Sequence, residues 1–250
     1  KKKKLNKKIK FILNKDQKKS LEALKKFGNK FNVSLLQGVT GSGKTLVYFE
    51  RVKEILNLGK QVLILLPEIF LTNQFKERFE EFFGFLPAIW HSKIGIKSKR
   101  KIWQSVINGN LNLVIGARSS LLLPFTNLGI IILDEEHDPS YKQDEGIIYH
   151  ARDMAIARGS IENIPIHLVS AVPSLETYNN VKTKKYNYTK LTSRYSDYPL
   201  PEAKVINLEK ASLKKDQFIA DETLKIIEPF LDKKDQVLFF LNRRGYAPFL

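Results

Sequence analysis

The stretch that decides the fold reads GVTGSGKT and comprises Gly38, Val39, Thr40, Gly41, Ser42, Gly43, Lys44 and Thr45. It fits G-x-x-x-x-G-K-[ST], the loop that cradles the phosphates of a nucleoside triphosphate. Its glycines let backbone N–H groups turn inward around an anion. Lys44 supplies a mobile cation for the β- and γ-phosphates, and the Thr45 hydroxyl can coordinate Mg²⁺. The stretch therefore predicts a site for ATP and Mg²⁺.

The residues on either side of this loop predict the elements that it connects. The apolar run at 33–36 indicates a strand entering the loop, and residues 45–56 indicate a helix leaving it. The N-terminus of that helix adds a partial positive charge where the phosphates bind. The alternative, a flexible Gly/Ser turn ahead of a helix, explains the composition but not this context.

Along the chain, short apolar runs alternate with longer amphipathic segments, which is typical of an α/β fold with a mostly parallel sheet. The apolar runs are continuous, as expected when helices cover both faces of the sheet. We expect a RecA-like P-loop NTPase lobe. The predicted strands are 34–37, 61–66, 88–91, 112–116, 129–134 and 167–170. The predicted helices are 16–27, 47–57, 69–83, 97–107, 150–162 and 174–181.

Changes in composition predict the domain organisation. Residues 1–12 form a basic arm or linker, with seven lysines among the first ten residues, and residues 13–192 form the ATP-binding lobe. The polar, turn-rich segment 193–201 predicts a linker. Residues 202–250 predict the truncated start of a second α/β lobe, with strands at 204–208 and 236–241 around a helix at 221–231. The chain begins at Lys1 without a Met, so we expect a fragment of a longer protein.

The composition restricts the partners and the compartment. Lys and Arg outnumber Asp and Glu by 42 to 26, a net charge of +16, which favours nucleic acid as a partner. A lysine-rich proteome explains part of this excess. Because there is no cysteine, disulfides and cysteine metal sites are excluded within the chain. With no membrane-length apolar run and no signal peptide, we expect a cytoplasmic protein without membrane contact.

A second motif, GIIILDEEH at 129–137, is an apolar run that ends in acids. A carboxylate at the end of a strand can hold the magnesium shell, and the next can orient the attacking water. We assign Asp134 to Mg²⁺ and Glu135, with Lys44, to catalysis. His137 is either a surface histidine or a relay between the nucleotide state and polymer binding.

The tetrad DEEH at 134–137, together with the phosphate loop, resembles the superfamily 2 helicases. The longer string DEEHDPSYKQ at 134–143 narrows the resemblance to the PriA family of bacterial replication-restart helicases. The order and spacing of the other motifs agree. These are LNKDQ at 13–17, LPEIFLTNQ at 66–74, WHS at 90–92, GARSS at 116–120, SAVPSLE at 170–176 and FLNRRGY at 240–246.

The resemblance implies roles for individual residues. Gln17 belongs to the adenine-side motif, and Ser170 with His137 to the coupling of hydrolysis to strand movement. The implied DNA contacts are Pro67, Thr72, His91, Arg118 and Ser119. The chain departs from the family at Val172 and Ala117, where Thr is expected. Arg118 either binds phosphate or pairs with a nearby acid, and the pair Arg243 and Arg244 belongs to the face between the lobes or is solvated.

The segment after His137 mixes aromatic and basic side chains, which suits single-stranded DNA because bases stack on rings while cations meet phosphates. We assign Tyr141, Lys142 and Tyr149 to DNA binding. The alternative is a surface loop whose tyrosines pack on their own lobe.

The resemblance implies an ATP-driven 3′-to-5′ DNA helicase that acts at stalled or abandoned replication forks and initiates primosome assembly. Single-stranded and forked DNA, single-strand-binding proteins and primosome proteins are the implied partners. Zn²⁺ is expected only beyond residue 250. Two alternatives stay open: another superfamily 2 translocase on duplex DNA or RNA, and a non-hydrolysing module that binds nucleotide and DNA.

Overall fold

The computed structural model describes residues 11–193, 202–208 and 219–240. The chain divides into two compact units, Lys1–Tyr198 and Pro199–Leu250. Residues 1–10 of the predicted arm, residues 194–201 of the predicted linker, and Arg243 and Arg244 lie outside the described residues. No helix within the described ranges has the length and apolar character that crossing a bilayer requires.

The first unit is built on a seven-stranded parallel sheet, which confirms the α/β fold. The strand order is β3-β4-β2-β5-β8-β1-β9, and β6 with β7 forms a separate antiparallel pair. The strands are β1 Val33–Gly38, β2 Gln61–Leu65, β3 Ala88–Trp90, β4 Leu113–Gly116, β5 Leu128–Asp134, β6 Lys142–Gln143, β7 Tyr149–His150, β8 Ile166–Ser170 and β9 Asn187–Leu191.

Helices cover both faces of this sheet. In the first unit they are α1 Lys15–Lys26, α2 Lys44–Asn57, α3 Asn73–Phe83, α4 Ile96–Ile107, α5 Ala151–Glu162 and α6 Leu175–Lys182. The strand β5 shows why the apolar runs are continuous. Ile130 and Ile132 pack into the core on one face of the sheet, while Ile131 and Leu133 pack into the core on the other. Every residue of β5 is buried.

The strand order brings the phosphate loop and the acids close together. β1, which leads into the phosphate loop, and β5, which ends in acids, are both paired with β8. Since all three strands are parallel, their carboxyl ends lie at the same edge of the sheet. Ser170, the last residue of β8, therefore lies between the phosphate loop and the acids.

Several elements of the first unit differ from the sequence-based expectation, among them the short strands β6 and β7, which were not predicted. The strand β9, which pairs with β1, was not predicted because its sequence NYTKL is half polar; as an edge strand it buries only part of its surface. The helix predicted from 69 begins at Asn73, after a 3₁₀ turn at Glu68–Phe70, because Thr72 caps it by accepting a hydrogen bond from the Phe75 N–H.

The prediction of strands in the second unit is wrong for its described residues. Residues 202–208 and 235–240 form neither helix nor strand, and the helix α7 Asp221–Asp232 lies between them in sequence. Residues 241–250 lie outside the described part. A strand needs a neighbour for its backbone hydrogen bonds, and the described residues of this unit offer none.

Candidate functional site

The phosphate loop joins β1 to α2 in a shape that requires its glycines. Gly41 and Gly43 both have a φ of 81°, in the left-handed region that disfavours other residues. A Cβ on Gly38 would lie 2.5 Å from the Ser42 hydroxyl oxygen and 3.3 Å from the Lys44 Cγ. The loop therefore wraps tightly around the start of α2.

The polar atoms of this loop fit an anion. Lys44 is buried, and its Nζ donates to the Gly38 carbonyl at 2.7 Å and lies 3.5 Å from the Val39 carbonyl. Ser42 Oγ is buried without a hydrogen-bond partner in the described residues. A phosphate would satisfy both groups, because it offers oxygens to the Lys44 cation and an acceptor to the Ser42 hydroxyl.

Gln17 lies directly beside the phosphate loop. Its side chain has no exposed surface. The Nε2 donates to the Ser42 carbonyl at 2.9 Å, and the Oε1 accepts from the Asn14 N–H at 3.0 Å. These bonds hold the phosphate loop against α1, and the contact of Gln17 with adenine stays a prediction.

The first acid of the DEEH tetrad is held in a low-dielectric environment. Asp134 Oδ2 accepts from the Tyr48 hydroxyl at 2.8 Å, and its Oδ1 accepts from the Glu135 N–H at 3.0 Å. Burial and the adjacent Glu135 charge raise the Asp134 pKa to about 6, against the opposing effects of Tyr48 and Lys44. A divalent cation at this carboxylate would favour its ionised form.

The direction of the second acid, Glu135, is set by a left-handed backbone conformation. Glu135 has a φ of 49°, in the left-handed region. Its Oε2 lies 3.6 Å from the Nδ1 of His137, and the same Nδ1 lies 2.7 Å from the Ser170 hydroxyl oxygen. A continuous polar path therefore runs from Glu135 through His137 to the end of β8.

One cleft of about 440 Å³ brings the two motifs together. The phosphate-loop residues Lys44 and Thr45 line it, opposite Asp134 and Glu135. The other lining residues are Phe11, Thr40, Gly41, Gly43, Leu46 and Arg78. Sequence reasoning missed Phe11 and Arg78, since nothing local distinguishes one arginine of α3 from its other exposed charges.

A second cleft of about 430 Å³ collects several of the predicted DNA contacts. Pro67, Arg118 and Ser119 line it, together with Glu68 and Ser92. Arg118 forms no ion pair with an acid of the described residues; its Nη1 donates to the Ser140 carbonyl at 3.1 Å and to the Lys142 carbonyl at 2.5 Å, and its contact with phosphate stays a prediction. It anchors the segment that follows the DEEH tetrad.

Tyr141 requires a correction. It is 1% exposed, and its hydroxyl donates to the Leu65 carbonyl at 3.0 Å and to the Asp134 carbonyl at 2.7 Å. A ring in the core has no face on which a base can stack. Tyr141 instead ties the end of β2 to the end of β5, which is the packing alternative left open for this segment.

The remaining predicted DNA-binding residues are more accessible. Lys142 is exposed and lies 3.1 Å from Asp144, while Tyr149 is partly buried. Thr72 is exposed at the start of α3, and His91 is partly buried after β3, where its Nδ1 accepts from the Lys93 N–H. They do not converge on one cavity with Arg118.

The third acid is one that sequence reasoning left without a role. Glu136 is fully buried, and its Oε1 accepts from the Ser174 N–H at 2.8 Å. Its Oε2 accepts from the Thr177 hydroxyl at 2.9 Å and from Arg152 Nη1 at 3.4 Å. This carboxylate links the acid segment to the start of α6 and to α5. The sequence has three consecutive acids at the end of the strand, and no local pattern predicts that the third side chain is buried.

Comparisons with known proteins agree with this geometry. The DEAD/DEAH box helicase family model matches residues 14–181. The chain is 49% identical over 217 residues to the replication restart protein PriA of Rickettsia felis and 43% identical over 246 residues to that of Haemophilus influenzae. The alignments cover 87% and 98% of this chain, and 34% and 33% of those proteins. The chain thus spans about a third of the length of these relatives.

Solved structures show the same fold. The structure of RecG bound to a three-way DNA junction superposes with a TM-score of 0.55 at 22% identity, over 75% of this chain and 24% of that one. A hypothetical ATP-dependent RNA helicase from Sulfolobus tokodaii gives 0.51 at 21% identity, over 73% of this chain and 54% of that one. At these identities the likeness concerns the RecA-like fold alone.

Proposed function

The chain belongs to the DEAD/DEAH box helicase family, and from that premise we propose that it carries the ATP-binding lobe of a DNA helicase that restarts replication. In this proposal the enzyme moves 3′ to 5′ along DNA in the bacterial cytoplasm, acts at stalled or abandoned forks and initiates primosome assembly. The support comes from relatives named replication restart protein PriA, at 38% to 49% identity.

The observation that carries the proposal is the shared cleft, in which Lys44 and Thr45 face Asp134 and Glu135. ATP with Mg²⁺, when bound, would supply the phosphoanhydride whose hydrolysis drives movement. Lys44 would hold the β- and γ-phosphates, and Thr45 with Asp134 would hold the Mg²⁺. Glu135, half-buried at the mouth of the cleft, would orient a water and accept its proton.

Phe11 and Arg78 complete the nucleotide site in this proposal. Both line the cleft, and both present a flat group, a ring and a guanidinium. A purine base is held well between such groups, by stacking and by cation–π attraction. They add to the base contact that the sequence assigned to Gln17.

The path from Glu135 through His137 to Ser170 offers a way to couple hydrolysis to movement. A change in the hydrogen bonding of Glu135 would reach β8 through His137. DNA would bind over the exposed or partly exposed side chains Thr72, His91, Ser119, Lys142 and Tyr149, where the net charge of +16 favours a polyanion. Single-strand-binding and primosome proteins are proposed partners by similarity to the relatives.

The proposal is tested by ATP binding and by ATP hydrolysis with and without single-stranded DNA. We expect Lys44→Ala to remove most affinity for a fluorescent ATP analogue, because it deletes the cation of the loop. The matched control is Lys182→Ala, at the exposed end of α6. Equal affinity in both variants would show that the loop is not the site.

Turnover is tested separately, in the full-length protein. We expect Glu135→Gln to bind the analogue as the unchanged protein does while losing hydrolysis, because Asp134 still serves the Mg²⁺. Equal losses of binding and hydrolysis would contradict the division between the two acids. Unwinding of a forked duplex with a 3′ single strand, but not with a 5′ one, tests the direction.

A second candidate function is a module that binds nucleotide and DNA without turnover. Phosphoryl transfer in P-loop enzymes gains about 10³–10⁵ in rate from an arginine finger. By the family resemblance, the arginines of the second unit, Arg243 and Arg244, come too early in that lobe to be this finger. We therefore expect the 250-residue chain by itself to show almost no DNA-stimulated hydrolysis; robust stimulation would exclude this candidate.

A further inference from the structure

The helix α4 carries a concentration of positive charge that the nucleotide chemistry does not use. Its sequence IKSKRKIWQSVI includes Lys97, Lys99, Arg100 and Lys101 and has no acidic residue. Within the described residues 11–193, none of these four cations forms an ion pair with a carboxylate; Lys99 Nζ instead donates to the Ser92 carbonyl at 3.2 Å.

This arrangement weakens the helix that carries it. Lys97 lies three and four residues before Arg100 and Lys101, so the like charges share one face and repel, at about 0.2–0.5 kcal/mol per pair. The cations also crowd the first turn, where the helix dipole favours acids. A bound polyanion would convert these unfavourable interactions into favourable ones.

An exposed aromatic ring lies beside two of these charges. Trp103 is 44% exposed and follows Lys99 and Arg100 by one helical turn, whereas Lys97 and Lys101 lie on another part of the helix surface. Rings interleaved with cations are typical of surfaces that bind single-stranded nucleic acid, where bases stack and phosphates pair.

The position of α4 makes its surface an extension of the second cleft. Lys99 contacts Ser92, whose own N–H donates to a carboxylate oxygen of Glu68 at 3.2 Å. Ser92 and Glu68 both line the cleft that contains Arg118 and Ser119. Because β3, which leads to α4, is an edge strand of the sheet, a DNA strand leaving the cleft on this side would next meet α4.

We propose that Lys97, Arg100, Lys101 and Trp103, hereafter the α4 surface, form a second contact for single-stranded DNA. The three cations hold phosphates, and Trp103 stacks on a base. The inference rests on the proposed function, since it extends a DNA path that starts in the cleft. An acidic protein segment would meet the same charges, but the ring and the continuity with the cleft favour DNA.

Salt dependence measures the phosphate pairing directly. We expect the triple variant Lys97→Gln, Arg100→Gln, Lys101→Gln to bind an oligothymidylate about tenfold or more weakly. The plot of log K against log salt has a negative slope, and its magnitude should decrease by ~2. Each phosphate that a cation neutralises on a single strand contributes ~0.7 to that magnitude. The matched control is Lys182→Gln, Lys184→Gln, Lys185→Gln, which removes the same charge near the opposite edge strand β9. It is expected to keep the slope.

Tryptophan emission measures the stacking. The chain has two tryptophans, so Trp90→Phe leaves Trp103 as the only tryptophan emitter. We expect oligothymidylate to quench this emission, and the quenching to disappear in the α4 triple variant. Emission that responds to an acidic peptide but not to oligothymidylate would overturn the proposal in favour of a protein partner.

The outcomes separate the two levels of inference. If the unchanged chain binds oligothymidylate and the triple variant keeps the slope of the unchanged chain, the α4 surface is overturned while the proposed function stands. If the unchanged chain shows no salt-dependent binding, the α4 surface and the proposed DNA path over this lobe are overturned, while the nucleotide site is decided by its own ATP assays. A slope reduced equally by the control and by the α4 variant would show non-specific attraction and would also overturn the α4 surface.

Discussion

Replacing Glu136 with alanine tests whether the third acid of the tetrad is a structural link. Its fully buried carboxylate accepts hydrogen bonds from Ser174, Thr177 and Arg152. We expect Glu136→Ala to leave the N–H of Ser174 unsatisfied and the Arg152 guanidinium without its most buried partner. The hydroxyls of Ser174 and Thr177 keep a remaining interaction, since they lie 3.1 Å apart.

The expected magnitude follows from these losses. A buried N–H without an acceptor costs about 1–3 kcal/mol. Removing one partner of a buried ion pair brings the total to about 3–5 kcal/mol. Glu136→Gln keeps an oxygen for the Ser174 N–H but places an NH2 group where Oε2 accepted from Thr177 and Arg152, so a smaller loss than in the alanine variant, about 1–3 kcal/mol, is expected. For a unit of this size, the alanine variant should melt about 10 °C lower.

The assay is urea unfolding of the chain, followed by circular dichroism. The matched control is Glu162→Ala, which breaks the pair with Arg158 on α5 and should cost about 0.3–0.5 kcal/mol. Equal destabilisation by Glu136→Ala and Glu162→Ala would refute the reasoning. So would a glutamine variant as unstable as the alanine variant, since the oxygen that it keeps for the Ser174 N–H would then contribute nothing.

Three further predictions concern residues at or near the site. Because burial raises the Asp134 pKa from 3.8 to about 6, its ionisation opposes folding above that pH; Asp134→Asn should raise the free energy of unfolding by up to about 3 kcal/mol above pH 6. That gain should fade as the pH falls from 6 towards 3.8, and a gain independent of pH in urea unfolding would contradict it. Tyr141→Phe should cost about 1–2 kcal/mol of stability, because two carbonyls lose their donor, with no change in oligothymidylate affinity; a large affinity loss would restore its DNA role. Tyr149→Ala in the full-length protein should reduce the stimulation of ATPase by DNA, because a stacking contact of about 1–3 kcal/mol with a base is lost, while the basal ATPase rate stays the same. A proportional loss of the basal and the stimulated rate would indicate a packing role.

The sequence was sufficient for features that depend on local spacing. The phosphate loop, the strand before it and the helix after it follow from eight consecutive residues and their flanks, and the buried strand β5 follows from its unbroken apolar run. The meeting of Lys44 with Asp134 and Glu135 also follows, because the carboxyl ends of parallel strands share one edge.

Features that depend on tertiary structure could not be predicted from local patterns. Tyr141 and Tyr149 belong to the same aromatic and basic segment, yet only Tyr141 reaches the carbonyls at the ends of β2 and β5. Gln17 has the expected residue type, and its bond to the Ser42 carbonyl depends on α1 packing against the phosphate loop. In each case the residue type was informative, whereas the direction of its side chain was decided by a partner distant in sequence.

The three acids after β5 show how one local conformation divides three chemically similar groups. Asp134 ends the strand and stays buried beside Tyr48. The left-handed backbone at Glu135, with a φ of 49°, breaks the alternation of the strand, so this side chain reaches the cleft. Glu136 then points into the protein, towards the start of α6. The strain at Glu135 persists because its neighbours on both sides are held by buried hydrogen bonds, which is how a strained residue is kept at a functional site. Replacing Glu136 should therefore change the direction of the Glu135 side chain as well as lower the stability of the fold.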